Sequence, residues 1–272
     1  MKTRSLLIYV LAFLFSAIYS QEVIFNKKEQ KSIPIEKLPI DSGTVTDIDG
    51  NTYKTVKIGT QWWVAENLAV TQYANGTPVP PVTGDADWAA LDDDNTDKAY
   101  CWYNDDIANK DIYGALYTYA AATNGKPFDG TNPVQGICPN GWHLPNETEW
   151  AILENYLADN NLNHGDTCLG GRDKIDKAMA SKTGWNSFSE DGTIGNHSED
   201  NNTSNFSALP GGYRYFANGS FLNVGENGYW WSSSEDKISH YIFIRFLSYN
   251  KASLGQVLFR KSSGLSVRCI KE

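Results

Sequence analysis

The chain has 272 residues, with 23 Lys and Arg against 32 Asp and Glu, a formal net charge of −9. That acidic balance excludes a nucleic-acid binder, which needs a basic face to displace phosphate counterions. Aromatic residues make up 13% of the chain, too many for a disordered polymer, whose composition is poor in core-building side chains. Residues 1–20 begin with basic Lys2 and Arg4, continue through an apolar run from Leu6 to Ile18, and end at small Ser20. This three-part layout is that of a secretory signal peptide. The run is shorter than the roughly 20 residues a membrane span requires. The cleaved chain then holds 21 basic against 32 acidic residues, a net −11, and no apolar run of spanning length. The expected location is secreted, periplasmic or at the cell surface.

Residues 21–43 are polar, with Pro34 and Pro39, and form a tether; 44–272 form one domain. Asp49-Gly50 separates Thr44–Asp47 from Thr52–Ile58, which predicts a hairpin with a two-residue type I′ turn. From Thr71 to Asp97, prolines, glycines and acids alternate in an irregular surface loop. Ile112, Ala115, Leu116, Tyr119 and Ala120 sit at helical spacing and predict a first helix over Ile112–Ala122 with Asp111 as N-cap. Asn146 and Glu149 have capping-box spacing and open a second helix with Trp150, Leu153, Tyr156 and Leu157 on its apolar stripe. Asp159–Ser207 is long, polar and rich in Asn and Gly, with a short helical stretch at Ala178-Met179. Beyond Ala208 the pattern turns to strands. Asn218-Gly219 marks a second hairpin, and strands follow at Tyr229–Ser233, His240–Leu247, Gln256–Arg260 and Leu265–Ile270. No linker divides Thr44 to Glu272 and no internal repeat is present, so the chain reads as one domain of mixed α+β class.

The cysteines are Cys101, Cys138, Cys168 and Cys269. An exported protein tends to oxidise them, and four cysteines allow three pairings. There is no CxxC and no His/Cys spacing of a zinc site.

Seven segments in order carry a family resemblance. They are Gln61-Trp62-Trp63-Val64-Ala65-Glu66-Asn67-Leu68, Tyr100–Asp106, Tyr113-Gly114-Ala115-Leu116-Tyr117, Cys138–Pro145 with Glu149-Trp150, Ala208–Arg214, Gly228–Ser234 and Ser266-Val267-Arg268-Cys269. Together they resemble the Fibrobacter succinogenes major paralogous domain, a family of exported bacterial proteins of largely unknown role. That family in turn resembles the C-type lectin-like fold, which implies two helices, a small antiparallel sheet and long loops. The resemblance also implies a Cys138–Cys269 bridge and a sheet that unites the first hairpin with the last strand. Cys101 and Cys168 are left as a possible second pair.

The chemistry of the residues points to binding. Leu144-Pro145, Glu149-Trp150 and Gly264–Arg268 are also similar to formylglycine-generating enzymes. Those enzymes hold copper with two cysteines before the last strand, and Gly255–Arg260 has none, so that activity is not carried over. No nucleophile elbow, zinc-peptidase helix or P-loop is present. His143, His164, His197 and His240 lack ligand spacing. The sugar-binding calcium triplets of C-type lectins are missing, although Asp92, Asp94, Asp97, Asp105 and Asp106 offer carboxylates of the kind calcium takes. Adjacent Trp230 and Trp231 point to opposite faces of a strand, so one can be core while the other faces out. A binding face is expected from Tyr229 and Trp231 with Asn196, Asp200 and Asn201. The expected function is a non-catalytic exported or cell-surface binding module for a glycan or protein ligand, with no cofactor beyond calcium. The alternatives are an enzyme with a site in the 159–207 loop and a purely structural surface protein.

Overall fold

The computed structural model describes residues 41–160 and 175–272. The expected signal peptide at 1–20, the expected tether up to residue 40 and Cys168 lie outside the described residues. The predicted first hairpin is present: β1 (Ser42–Thr46) pairs antiparallel with β2 (Thr52–Ile58), Thr46 opposite Thr52. Ser42 and Gly43 already pair with Val56 and Thr55, so ordered structure begins inside the expected tether. The turn is longer than Asp49-Gly50 suggests. Only Gly50 takes a positive φ, 86°, and its N–H donates to Asp47 O at 3.1 Å. The Asp47 carboxylate sets this geometry by accepting from Asn51 N–H at 2.9 Å and Tyr53 O–H at 2.6 Å.

β3 (Gln61–Val64) continues the sheet, and the last strand, β12 (Ile270–Lys271), adds next to it with Ile270 opposite Trp63. β6 (Trp142–His143) closes the far edge, so sheet one runs β1-β2-β3-β12-β6 and joins both ends of the described chain. A disulfide from Cys138 to Cys269 crosses from the loop before β6 to the residue before β12.

The first predicted helix is not continuous. α1 (Asp85–Ala89) precedes it, a single turn inside the loop expected to be irregular, and buries Trp88 completely. β4 (Tyr100–Trp102) follows, then α2 (Lys110–Tyr113), β5 (Ala115–Tyr117) and α3 (Tyr119–Thr123). The break lies at Gly114, where φ is 73° and a Cβ would come within 2.7 Å of Leu68 O. Helical spacing misled because Ala115, Leu116 and Tyr117 are all buried, as a strand covered on both faces requires. Thr118 then accepts from Ala121 N–H and starts α3.

The second predicted helix is α4 (Glu147–Asp159). Its capping box is complete: Glu149 N–H donates to Asn146 Oδ1 at 3.0 Å, and Asn146 N–H donates to Glu149 Oε2 at 2.9 Å. Glu149 Oε1 also meets His143 Nε2 at 2.7 Å, which ties the helix start to β6. Asn146→Ala is expected to cost about 1 kcal/mol. A thermal melt should show a midpoint lower by about 2–4 °C, and an unchanged midpoint would remove the box as a contributor.

α5 (Asp176–Met179) is the short helix expected near Ala178. Sheet two then forms from β7 (Gly211–Arg214), β8 (Phe221–Val224), β9 (Asn227–Glu235), β10 (Ile242–Ser248) and β11 (Gly255–Phe259), in the order β11-β10-β9-β7-β8. It is larger than the small sheet expected. Both faces of β9 are covered. Tyr229 and Trp231 enter one apolar cluster with Leu144, Tyr119 and Val267, whereas Trp230 enters a second with Trp63, Trp150 and Phe206. Each fully buried side chain of this size contributes about 1.5–3 kcal/mol. The architecture is α+β, and no helix among the described residues is long and apolar enough to cross a membrane.

Candidate functional site

The expected binding residues do not share one surface. Trp231 is fully buried; its Nε1 donates to Tyr117 O at 2.8 Å and its ring packs edge-on against Tyr119. The expectation that one of the two adjacent tryptophans faces out fails, because sheet two is covered on both sides. Tyr229 is 8% exposed, and its hydroxyl accepts from Asn223 Nδ2 at 2.9 Å. Its ring lies 5.0 Å from Tyr213, 5.9 Å from Phe246 and 5.5 Å from Phe259, which are half-buried and form the outer edge of the first cluster.

Asn196, Asp200 and Asn201 belong to the loop over the second cluster. Asn201 is buried, with Nδ2 donating to Ser181 O and Ile194 O, both at 3.2 Å. Asn196 offers its main-chain oxygen to buried Lys177 Nζ, which also donates to Thr193 O and His197 O at 3.2 Å. Lys177 therefore clamps three carbonyls. Beside it, burial raises the Asp176 carboxyl to about 7, against a bond from Lys177 N–H, and its Oδ2 has no partner among the described residues. Asp200 is exposed.

Of the five aspartates proposed for calcium, Asp92, Asp94 and Asp97 share one hydrogen-bonded turn, whereas Asp105 and Asp106 have other partners. Asp97 accepts from Asp92 N–H at 2.7 Å. Asp94 takes Thr96 N–H at 2.7 Å, and bonds of this kind hold its carboxyl below the usual range. Asp106 caps a short 3-10 turn through Ala108 N–H. Asp105 accepts from both Arg214 Nη atoms, at 2.9 and 3.2 Å, and Arg214 is itself buried between the rings of Trp88 and Phe221. The carboxylates of Asp94, Asp97 and Asp106 close turns, and that of Asp105 neutralises Arg214. Among the described residues no three His, Cys, Asp or Glu side chains converge as metal ligands.

Among the described residues, a concavity lies elsewhere. Residues 124–140 contain Asn124, Gly125, Pro127, Asp129, Gly130, Asn132, Pro133, Gly136, Pro139 and Asn140, a composition that favours turns over helix or strand. Asn124 ends α3 in the left-handed region at φ 55°. Asp129 closes a turn by accepting Thr131 and Asn132 N–H, both at 2.8 Å. Gly136 has φ 51°, and a Cβ there would sit 1.9 Å from Ala122 O, so only glycine lets the loop lie against α3. Cys138, through its disulfide, fixes the loop's end.

This wall faces the tight turn at Tyr73–Thr77 across a cleft of about 400 Å³. Tyr73 is almost fully buried, and its hydroxyl donates to Ala121 O at 3.1 Å. Four asparagines line the cleft; Asn132 donates through Nδ2 to Asp129 Oδ2 at 2.9 Å, and the other three are held alike. Asn75 Oδ1 accepts from Thr77 N–H at 3.0 Å, Asn124 Oδ1 from Lys98 Nζ at 2.7 Å, and Asn140 Oδ1 from Gln135 Nε2 at 3.1 Å. No described residue accepts from the three Nδ2 groups. Lys126 and Asp129 add one charge of each sign. A second cleft of about 290 Å³ adjoins the first and shares Ala74 and Asn140 with it.

Sequence reasoning missed this site, although a signal was there. Asn75, Asn124 and Asn140 each precede a glycine, the same dipeptide that marked the second hairpin. The chain matches no curated protein and no solved structure. The model of the Fibrobacter succinogenes major domain matches residues 56–271, and the chain belongs to that family.

Proposed function

We propose that this protein is an exported, non-catalytic binding module of C-type lectin-like architecture, and that the cleft between the Tyr73–Thr77 turn and the 124–140 wall holds its ligand. The observation that carries the reading is the set of three amides with anchored oxygens and free Nδ2 groups around one concavity. Ligand sites are concave and orient their ligand through a few fixed polar groups. The supporting frame is rigid: the wall is pinned by Gly136 at one point and by Cys138 at its end. Export is supported by the signal-like N-terminus and by the disulfide, which persists in oxidising compartments. The lectin-like architecture is supported by the Cys138–Cys269 bridge and by the sheet that joins the first hairpin to the last strand, both implied by the resemblance.

Ala74 is half-buried and lines both clefts. Ala74→Trp therefore fills the shared neck without removing an internal hydrogen bond. On an array of glycans and extracellular proteins, the parent protein is expected to retain at least one ligand, and the variant to lose it at an unchanged melting midpoint. Retention of nothing by the parent, or equal retention by the variant, would sink the reading.

A further inference from the structure

We infer that the free edge of β11 pairs antiparallel with the same edge of a second copy of this chain, joining two copies of sheet two into one continuous sheet. β11 is the outermost strand of that sheet, and no described strand lies beyond it. The unmatched N–H and C=O groups of such an edge are a template for another strand, and natural edges are blunted by charged side chains, proline or a bulge. Gly255-Gln256-Val257-Leu258-Phe259 has no charge and no proline, and its register with β10 runs unbroken from Ile242 opposite Phe259 to Phe246 opposite Gly255. Val257 and Leu258 are 40% and 37% exposed, so the strand's side chains are open to solvent. The other edges lack this combination. β8 has Tyr103 beside it, with its ring 5.1 Å from Phe221. β1 carries Ser, Gly and Thr around a single Val45, and β6 is two residues long.

The apolar face of sheet two continues to this edge. Val257 pairs with Ile244 and Phe259 with Ile242, so both side chains point to the face that carries Phe246. Phe246 lies over Gly255, where a Cβ would come within 2.1 Å of its ring. Phe259 lies 5.5 Å from Tyr229 and 5.4 Å from Tyr213. The strand is also complementary to itself about Val257. In an antiparallel two-fold pair, Val257 faces its own mate, Gln256 faces Leu258, and Phe259 faces Gly255. Each Phe259 ring then stands beside Phe246 of the other copy, and the apolar row runs across the joint.

Charge favours a second copy over a charged partner. A two-fold contact sets one surface against itself, so that surface must be locally neutral. The chain carries −9 overall, yet no Asp or Glu occurs between Lys237 and Lys271. The cations next to the strand are matched within the chain: Arg260 with Asp93 at 3.0 Å, Lys261 with Glu235 at 3.0 Å and Arg245 with Glu147 at 2.9 Å. Glu147 also accepts from Gln256 Nε2. Two acidic molecules therefore meet here without setting carboxylate against carboxylate and without stranding a cation, whereas a highly charged partner finds no counter-charge. No residue lining either cleft belongs to β11, so association and ligand binding are separate properties.

An edge of five residues buries less than the roughly 1,200 Å² of a standard interface, so the dimer should form reversibly in the micromolar range. Sedimentation velocity of the exported protein from about 1 to about 500 µM should show the mean mass rising toward twice that of the monomer. Val257→Lys and Val257→Glu each set like charges face to face. Each alone should associate at least about tenfold more weakly, with an unchanged melting midpoint at the lowest concentration. Mixed in equal amounts, the two should associate again, because the two-fold then sets Lys against Glu. Should either charge variant melt early, Val257→Cys, close to valine in size, serves in its place. Mild oxidation should link it into a dimer through that position. The parent and Ile238→Cys, 91% exposed in the β9–β10 loop, should not link. The inference is overturned if the parent stays monomeric throughout, if the single charge variants associate as the parent does, if mixing them restores nothing, or if Val257→Cys links no faster than Ile238→Cys.

Discussion

Replacing Cys138 and Cys269 together by alanine is expected to lower the unfolding free energy by about 3–5 kcal/mol. The bridge spans a sequence separation of 131 residues, so in its absence the unfolded chain regains the freedom of a very long loop. Both cysteines are fully buried, one before β6 and one before β12, where sheet one brings the chain's later segments together. A urea titration should show a clearly lower midpoint, and a melt a fall of roughly 10 °C at 2–4 °C per kcal/mol. Cys101→Ala is the matched comparison. Cys101 is buried and forms no disulfide among the described residues, and burial pushes its thiol up to about 12, against the neighbouring Arg214, so it stays a neutral thiol. Its loss should cost far less than the pair. The same double variant frees the end of the cleft wall, and ligand retention on the array should fall with it. A loss of stability below about 1 kcal/mol for the pair would mean that sheet one holds the ends together unaided.

Four of the seven motifs that made the family legible meet at one buried amide. Asn67 donates through Nδ2 to Tyr113 O at 2.8 Å and Ser266 Oγ at 3.2 Å. Its Oδ1 accepts from Trp230 Nε1 at 2.9 Å and Arg268 Nε at 2.8 Å. The four partners lie in three further quoted segments, Ser266 and Arg268 sharing the last. A carboxamide has two donors and room for two donors on its oxygen, and here all four are matched. Such a hub constrains residue identity at four places in the chain at once, Asn67, Trp230, Ser266 and Arg268, and it describes the frame and not the site.

Where local chemistry decided the outcome, the sequence was readable. The capping box at Asn146 and Glu149 needs only neighbours three residues apart, and the two hairpins need only a turn residue between apolar runs. Where a distant contact decided, it was not. Gly114 breaks the first helix because Leu68 O lies against it, and nothing within Ile112–Ala122 shows that approach. Trp231 is buried because Tyr117 and Tyr119 reach it from more than a hundred residues away. The cleft asparagines were hidden for a related reason. Their amides matter only once Gly136, Cys138 and the Tyr73–Thr77 turn place 124–140 opposite Asn75.

Arg268→Met is expected to cost about 3 kcal/mol or more. Arg268 is fully buried, and no carboxylate among the described residues bonds it. Its donors go to four neutral oxygens: Asn67 Oδ1 at 2.8 Å, Val64 O at 3.2 Å, Phe206 O at 2.8 Å and Ser207 O at 2.9 Å. Burial lowers its pKa to about 9, with the Glu66 carboxylate opposing, so it remains a cation at neutral pH. Methionine fills most of the volume, so the cavity contribution is small and the lost bonds dominate. Each buried oxygen left without a donor costs roughly 1 kcal/mol or more. The stacking of the guanidinium on Phe206, 4.9 Å from the ring centroid, is lost as well. Lysine carries the charge but not the planar fork, so Arg268→Lys should recover only a minor part. The damage should also be local. Phe206 and Ser207 are the anchors of the segment whose Ala208 N–H bonds Met179 O and whose Ala208 O receives Ser181 N–H. Hydrogen exchange at Ala208 and Ser181 should therefore accelerate more than exchange in β2, which is held by its own ladder. A variant within about 1 kcal/mol of the parent, or one in which these amides and β2 accelerate equally, would show that Arg268 fills space without tying the 175–208 segment to the sheets.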